Sequence, residues 1–240
     1  MLWWKAWRET RERFLLILLF FALAVVFFYF QAFRSSTETN TLYLYHYFYD
    51  DRVPLLLFFG LVPPLLASGG LLQEQRQGTA AISLVLPVKR SRLLGIRAVV
   101  SALQFVALCL VPAVVIPVLS FAVGTSYPLS LALHFGLLWI FCGSSLLAVS
   151  FLFSSVLAGE YTALTVSVST ILMYYYVTTY TPSLFQLSMA SIVVGTNTSA
   201  SGIPSNGLPG AYPWLGLSVI ALIAAGLFCA AIQIARWQDF

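Results

Sequence analysis

The sequence predicts an all-α integral membrane protein with six transmembrane helices, and three observations carry that prediction. Hydrophobic residues make up 60% of the chain and charged residues only 8%, whereas a water-facing surface needs roughly 25% charged residues. Apolar runs near the length a helix needs to cross a hydrocarbon core, about 20 residues, recur six times. They lie at about residues 14–33, 53–72, 98–123, 129–153, 161–180 and 214–235. The runs do not alternate polar with apolar residues, as the strands of a transmembrane barrel do, and helices satisfy their own backbone groups in lipid.

The cations orient these spans. With six spans both termini share one side, and Lys5, Arg8, Arg11, Arg13, Arg76, Lys89, Arg90, Arg92, Arg97 and Arg236 fall on it. Only Arg34 and Arg52 fall on the other, so the positive-inside rule makes the termini cytoplasmic. Cations so placed meet anionic headgroups. Membrane lipids are therefore expected partners, and the basic balance calls for no nucleic acid.

Residues 1–13 precede the first span. On a helix Trp3, Trp4 and Trp7 share one side, and Lys5, Arg8, Glu9, Glu12 and Arg13 mostly take the other. This is the pattern of an interfacial helix lying along the headgroups. The first span is too long for a signal-peptide core and lacks a small-residue cleavage site, so a retained anchor is expected. In the first outer loop Tyr43, Tyr45, Tyr47 and Tyr49 alternate, as an aromatic belt at the membrane boundary would. His46, Asp50 and Asp51 beside them are weak grounds for a metal site.

Pro112 and Pro117 are expected to kink the third span, and a short turn, 124–128, leads to the fourth. There Gly143, Ser144 and Ser145 form a small-residue patch suited to close helix contact, and His134 stands alone as a packed residue. Cys109, Cys142 and Cys229 lie inside spans without paired spacing and read as small core residues. Glu160 opens the fifth span, where a helix N-terminus favours an anion. That span is the most polar: Thr162, Thr165 and Ser169 follow helical spacing, and Met173 and Tyr176 continue the face. Such a stripe should face protein or a water-filled cavity, either as packing glue or as the lining of a translocation pathway. In segment 181–213, residues 184–194 are apolar but too short to span, and turn formers follow. A re-entrant outer segment and a loop fit best. Asn197-Thr198-Ser199 matches the glycosylation pattern, a short match common by chance.

Residues 73–97 form a polar, basic island between spans two and three. Gly78 ends one helix and Thr79 can cap the next; Ala80 to Leu86 supply about two apolar turns before Pro87 stops them. Lys89, Arg90 and Arg92 follow, and Ser91 can cap the helix that leads into the third span. The island is therefore a short apolar helix on the cytoplasmic surface, suited to lipid or to a partner.

This run resembles the cytoplasmic loop of ABC-2 family permeases, the membrane subunits of ATP-binding cassette exporters. That loop reads approximately Glu-Arg-x-x-Gly-Thr, an apolar stretch, then Leu-Pro and basic residues. The matching residues are Glu74, Gly78, Thr79, Leu86 and Pro87, with Lys89, Arg90 and Arg92 after them. Gln75 stands where the family usually has arginine, and Arg76 comes one position later. Six spans, an N-terminal interfacial helix, a cytoplasmic helix between spans two and three and a re-entrant outer segment are similar to the family's type V exporter plan over nearly the whole chain.

The resemblance implies a coupling helix seated on a separate ATPase subunit, in an assembly of two permeases and two ATPases. The second permease is either another copy of this chain or a homologue. Glu74, Arg76, Gly78, Thr79, Pro87, Lys89 and Arg90 would shape the coupling segment, with Ile82 and Leu84 as apolar contacts. Thr162, Thr165, Ser169 and Tyr176 would be candidates for the pathway lining. Independently, the only lysines are Lys5 and Lys89, neither preceded by Gly nor followed by Ser or Thr. The chain therefore has no phosphate-binding loop of the GxxxxGK[ST] type, and ATP with Mg is expected on the partner, with no cofactor on this chain. A bacterial-type inner (cell) membrane is the expected location. The neutral aromatic lining suits an amphipathic, lipid-like or drug-like substrate.

Other classes are a haem-exporter-type permease of cytochrome c maturation and a non-transporting membrane scaffold. An intramembrane enzyme would need paired carboxylates, a Ser/His arrangement or a His/Glu metal set, and the spans carry none. A proton-coupled transporter would want acids inside the spans, and Glu160 is only at an edge. No catalytic and no metal-ligating residues are expected.

Overall fold

The computed structural model of the chain describes residues 2–35, 52–68, 90–124, 129–157, 159–180 and 214–237. Nearly all of them fall in six helices: α1 (Leu2–Ser35), α2 (Arg52–Ala67), α3 (Arg90–Val123), α4 (Leu129–Val156), α5 (Glu160–Tyr180) and α6 (Trp214–Trp237). No strand occurs among the described residues.

Four helices are long and apolar enough to cross a membrane, through Thr10–Gln31, Arg92–Val123, Gly136–Val156 and Leu217–Ile234. The chain is thus a multi-pass helical membrane protein. Of the six expected spans, the second and fifth carry shorter apolar helical stretches, Phe58–Ala67 and Tyr161–Tyr174. α2 has 16 residues, about 24 Å of helix against a hydrocarbon core of about 30 Å. Positions 69–72 of the expected second span lie outside the described residues, as do the outer tyrosines, His46, the glycosylation triplet and the expected re-entrant segment.

α1 departs from the expectation at its start. The interfacial helix expected over 1–13 and the first span form one helix of 34 residues, about 51 Å long. Leu2–Ser35 contains no Gly or Pro, and Thr10, the one interior residue of capping type, turns its hydroxyl back onto Ala6 O (3.0 Å). With no breaker and no cap, the tract continues along the axis of the span, and Trp3, Trp4 and Trp7 are exposed on that extension.

α3 is also longer than expected, 34 residues from Arg90, so Ser91 lies inside its first turn. It runs through Pro112 and Pro117 as one helix; each proline removes one N–H donor without ending it. Gly124 at φ 82° terminates α3, its N–H donating to Phe121 O at 3.2 Å. This is the left-handed C-terminal position that glycine favours.

The core is built around α4, which packs most extensively on α6 and also on α3, α2 and α5, while α1 packs on α3 and α2. At its centre Phe58 lies against Phe21 (ring centroids 4.5 Å apart), Trp139 (4.8 Å) and Phe105 (5.8 Å). Gly143 makes this arrangement possible. A Cβ there would lie 2.8 Å from ring carbons of both Phe59 and Phe105, closer than van der Waals contact allows. The expected small-residue patch therefore admits two rings from neighbouring helices, while Ser144 and Ser145 donate to Phe141 O (2.7 Å) and Cys142 O (3.0 Å). Cys109 and Cys142 are buried, as small core residues should be, and Cys229 is exposed.

α1 and α3 run parallel. Thr10 meets Gln104 at one end (2.8 Å) and Tyr29 meets Ser120 at the other (3.2 Å). The stretch of α1 between these ties is about 28 Å long, close to one hydrocarbon thickness.

Candidate functional site

Most residues of the expected coupling segment fall outside the described residues: Glu74, Arg76, Gly78, Thr79, Ile82, Leu84, Pro87 and Lys89. Arg90 is the first residue of α3. The structure shows the helices between which that segment runs, and polar contacts join the C-terminus of α2 to the interior of α3 and to α1.

α2 reaches its C-terminus with carbonyls that have no partner further along the helix. Ser68 and α3 supply partners. Ser68 N donates to Pro64 O (3.0 Å), Ser68 Oγ donates to Leu65 O (2.8 Å), and Ser101 Oγ of α3 donates to Leu66 O (3.2 Å). The Ser68 hydroxyl also accepts from Arg13 Nη1 of α1 at 2.9 Å. Thr10, one turn before Arg13, behaves in the same way: its hydroxyl accepts from Gln104 Nε2 at 2.8 Å and donates to Ala6 O.

Three side-chain bonds thus close a triangle among three helices. Arg13–Ser68 joins α1 to α2, Thr10–Gln104 joins α1 to α3, and Ser101–Leu66 joins α2 to α3. α2 ends at the triangle. α3 begins about 17 Å earlier, counting the helical rise from Arg90 to Ser101. Leu94, Ala98 and Val100 in that leading stretch are buried, so it is held to the bundle, while Arg92 is exposed. Arg8 and Arg11 of α1 are exposed at the same end.

Gln104 is only 2% exposed, and among the described residues its Oε1 has no hydrogen-bond partner. One neutral hydrogen bond contributes about 0.5–1.5 kcal/mol net, whereas an unsatisfied buried acceptor costs about 1–3 kcal/mol. The two contributions largely offset one another. What the amide does supply is a direct tie between α3 and α1.

The polar stripe of α5 lies on one face, as its spacing predicts, but that face points out of the bundle. Thr162, Thr165 and Ser169 are exposed, with Met173 at 68% and Tyr176 at 62%, while Ser167 on the opposite face is 1% exposed. α5 packs chiefly on α4 and α2, and the other described helices leave most of the stripe exposed. Thr162 Oγ1 donates to Gly159 O (2.9 Å) and Thr165 Oγ1 to Tyr161 O (2.7 Å). These bonds within the helix remove most of the cost of facing an apolar surrounding. The expectation that the stripe faces protein or water is therefore not met inside one chain.

Glu160 opens α5 as expected, and His134 lies within α4. Among the described residues no group of three or more His, Cys, Asp or Glu is placed to hold a metal ion. None of Thr10, Arg13, Ser68, Ser101 and Gln104 stands out from the sequence as part of a joint. The available signal was Gln104, an amide inside an otherwise apolar run. No protein-family model, no curated protein and no solved structure matches this chain.

Proposed function

We propose that the chain is the permease subunit of an ATP-binding cassette exporter of the ABC-2 type. In this reading all six helices span the membrane and both termini are cytoplasmic. The segment between α2 and α3 is the coupling helix, and a separate ATPase subunit supplies the energy. The observation that carries the proposal is the run from Glu74 through Gly78-Thr79 to Leu86-Pro87 and its cations, placed between two apolar helices of a chain with no phosphate-binding loop. The triangle at the C-terminus of α2 supports it, because a push delivered between α2 and α3 needs the two helices held to one another.

Two copies, or this chain and a homologue, would form the pathway between them. The outward stripe Thr162, Thr165, Ser169 and Tyr176 supplies a neutral, hydroxyl- and aromatic-bearing wall. Without a fixed charge, that wall suits an amphipathic, lipid-like or drug-like substrate better than an ion.

The test is substitution of an apolar contact on the coupling helix. Ile82→Asp places a carboxylate where the ATPase would bury a methyl-bearing side chain, and an uncompensated buried charge is strongly unfavourable. The expected result is a chain that inserts normally but no longer retains its ATPase through purification. An Ile82→Asp complex that keeps the ATPase and full ATP turnover would refute the assigned contact.

A further inference from the structure

The α1–α2–α3 triangle has a consequence for how motion spreads through the bundle. α2 and α3 are the helices that segment 69–89 connects, but α1 is not attached to that segment by the chain. Among the described side chains, α1 is tied at this end through Thr10 to Gln104 of α3 and through Arg13 to Ser68 of α2. Both hydroxyls in these bonds accept from one neighbour and donate to a carbonyl, Thr10 to Ala6 and Ser68 to Leu65. Each is thereby held in one orientation. Gln104 is nearly fully buried, uses one end of its amide, and has an Oε1 without a partner among the described residues. A group in that state adds little net stability.

We propose that Gln104 is a positioning residue, the pin of a joint that makes α1 move as one body with α2 and α3. Through this joint, displacement of the segment between α2 and α3 reaches the N-terminal helix and the Tyr29–Ser120 tie at its far end. The role of the joint in transport rests on the permease reading above. Its mechanical role does not.

The experiment replaces both partners at once, Thr10→Val with Gln104→Leu, so that no polar group is left stranded. In the full-length chain, with Cys229→Ser as background because Cys229 is the exposed cysteine, spin labels at Arg8→Cys and Arg92→Cys report the α1–α3 distance. Both labelled positions are exposed. With the joint intact the distance distribution is single and narrow. The double variant is expected to broaden it or split it while its thermal midpoint is unchanged or higher. A merely structural role predicts the reverse, a lower midpoint with an unchanged distribution, and that result would overturn the proposal. Thr10→Ser, which keeps the hydroxyl, is expected to retain the narrow distribution.

A second arm uses the complex with its ATPase. The chain-dependent change in ATP turnover is expected to fall about two- to twelvefold in the double variant, the range that loss of one hydrogen bond from a coupling equilibrium allows. Thr10→Ser should restore it, and full turnover in the double variant would exclude the joint from coupling. If the wild-type chain changes no ATPase's turnover, the permease reading fails, and the distance measurement still decides the joint.

Discussion

Among the described glycines, Gly143 carries the strongest steric requirement. Two rings, Phe59 of α2 and Phe105 of α3, close over the place where a Cβ would stand. Gly143→Ala must push one ring away from Trp139 or shift α4, and overpacking of this sort costs typically about 1–3 kcal/mol. The expected outcome is a lower thermal midpoint in detergent, whereas Gly226→Ala, at a position with open space around it, should leave the midpoint near wild type. At the far end of α1, Tyr29→Phe and Ser120→Ala each remove one side of a buried hydrogen bond. A double-mutant cycle on the two is expected to give a coupling of about 0.5–1.5 kcal/mol. A coupling near zero would mean that Tyr29 contributes only its ring.

Helix by helix, the sequence anticipated the identity of the elements better than their ends. Low charge and long apolar runs were enough for α1, α3, α4 and α6, because burial in lipid demands that composition over a whole span. The ends depend on individual residues. Thr10 resembles a cap in sequence but bonds backward, so α1 continues through the point where an interfacial helix was expected to stop. Ser91 looked like a cap and is already helical. The triangle was not legible, since it depends on which helices are neighbours, and neither spacing nor composition encodes that. The stripe on α5 was legible as a face, but its outward direction follows from how α5 docks on α4 and α2.

Two measurements test these elements. If α1 is continuous, Trp3 and Phe20 are separated by about 26 Å along one axis, and spin labels at the two positions should report that separation. A tract folded along the membrane surface would bring them several ångströms closer. For α5, single cysteines at Thr165, Ser169 and Met173 should crosslink between chains in the membrane, while Ser167→Cys, on the buried face, should not. Equal crosslinking at all four positions would remove the proposed wall.

For the whole molecule, the physics separates two roles. Aromatic packing around Phe58 and Gly143 holds the bundle together. The hydrogen-bonded joint contributes little to stability and holds α1, α2 and α3 in fixed relation at the end where the polar island departs. In the permease reading the motor is a separate ATPase that acts on that island. The most direct test is to purify the full-length chain from its own membrane and identify what accompanies it. The permease reading predicts a P-loop ATPase in one-to-one ratio with the chain. Its ATP turnover should change on reconstitution with the chain, and Ile82→Asp should abolish both the association and the change. Purification without an ATPase, or with one whose turnover is the same with and without the chain, would contradict it.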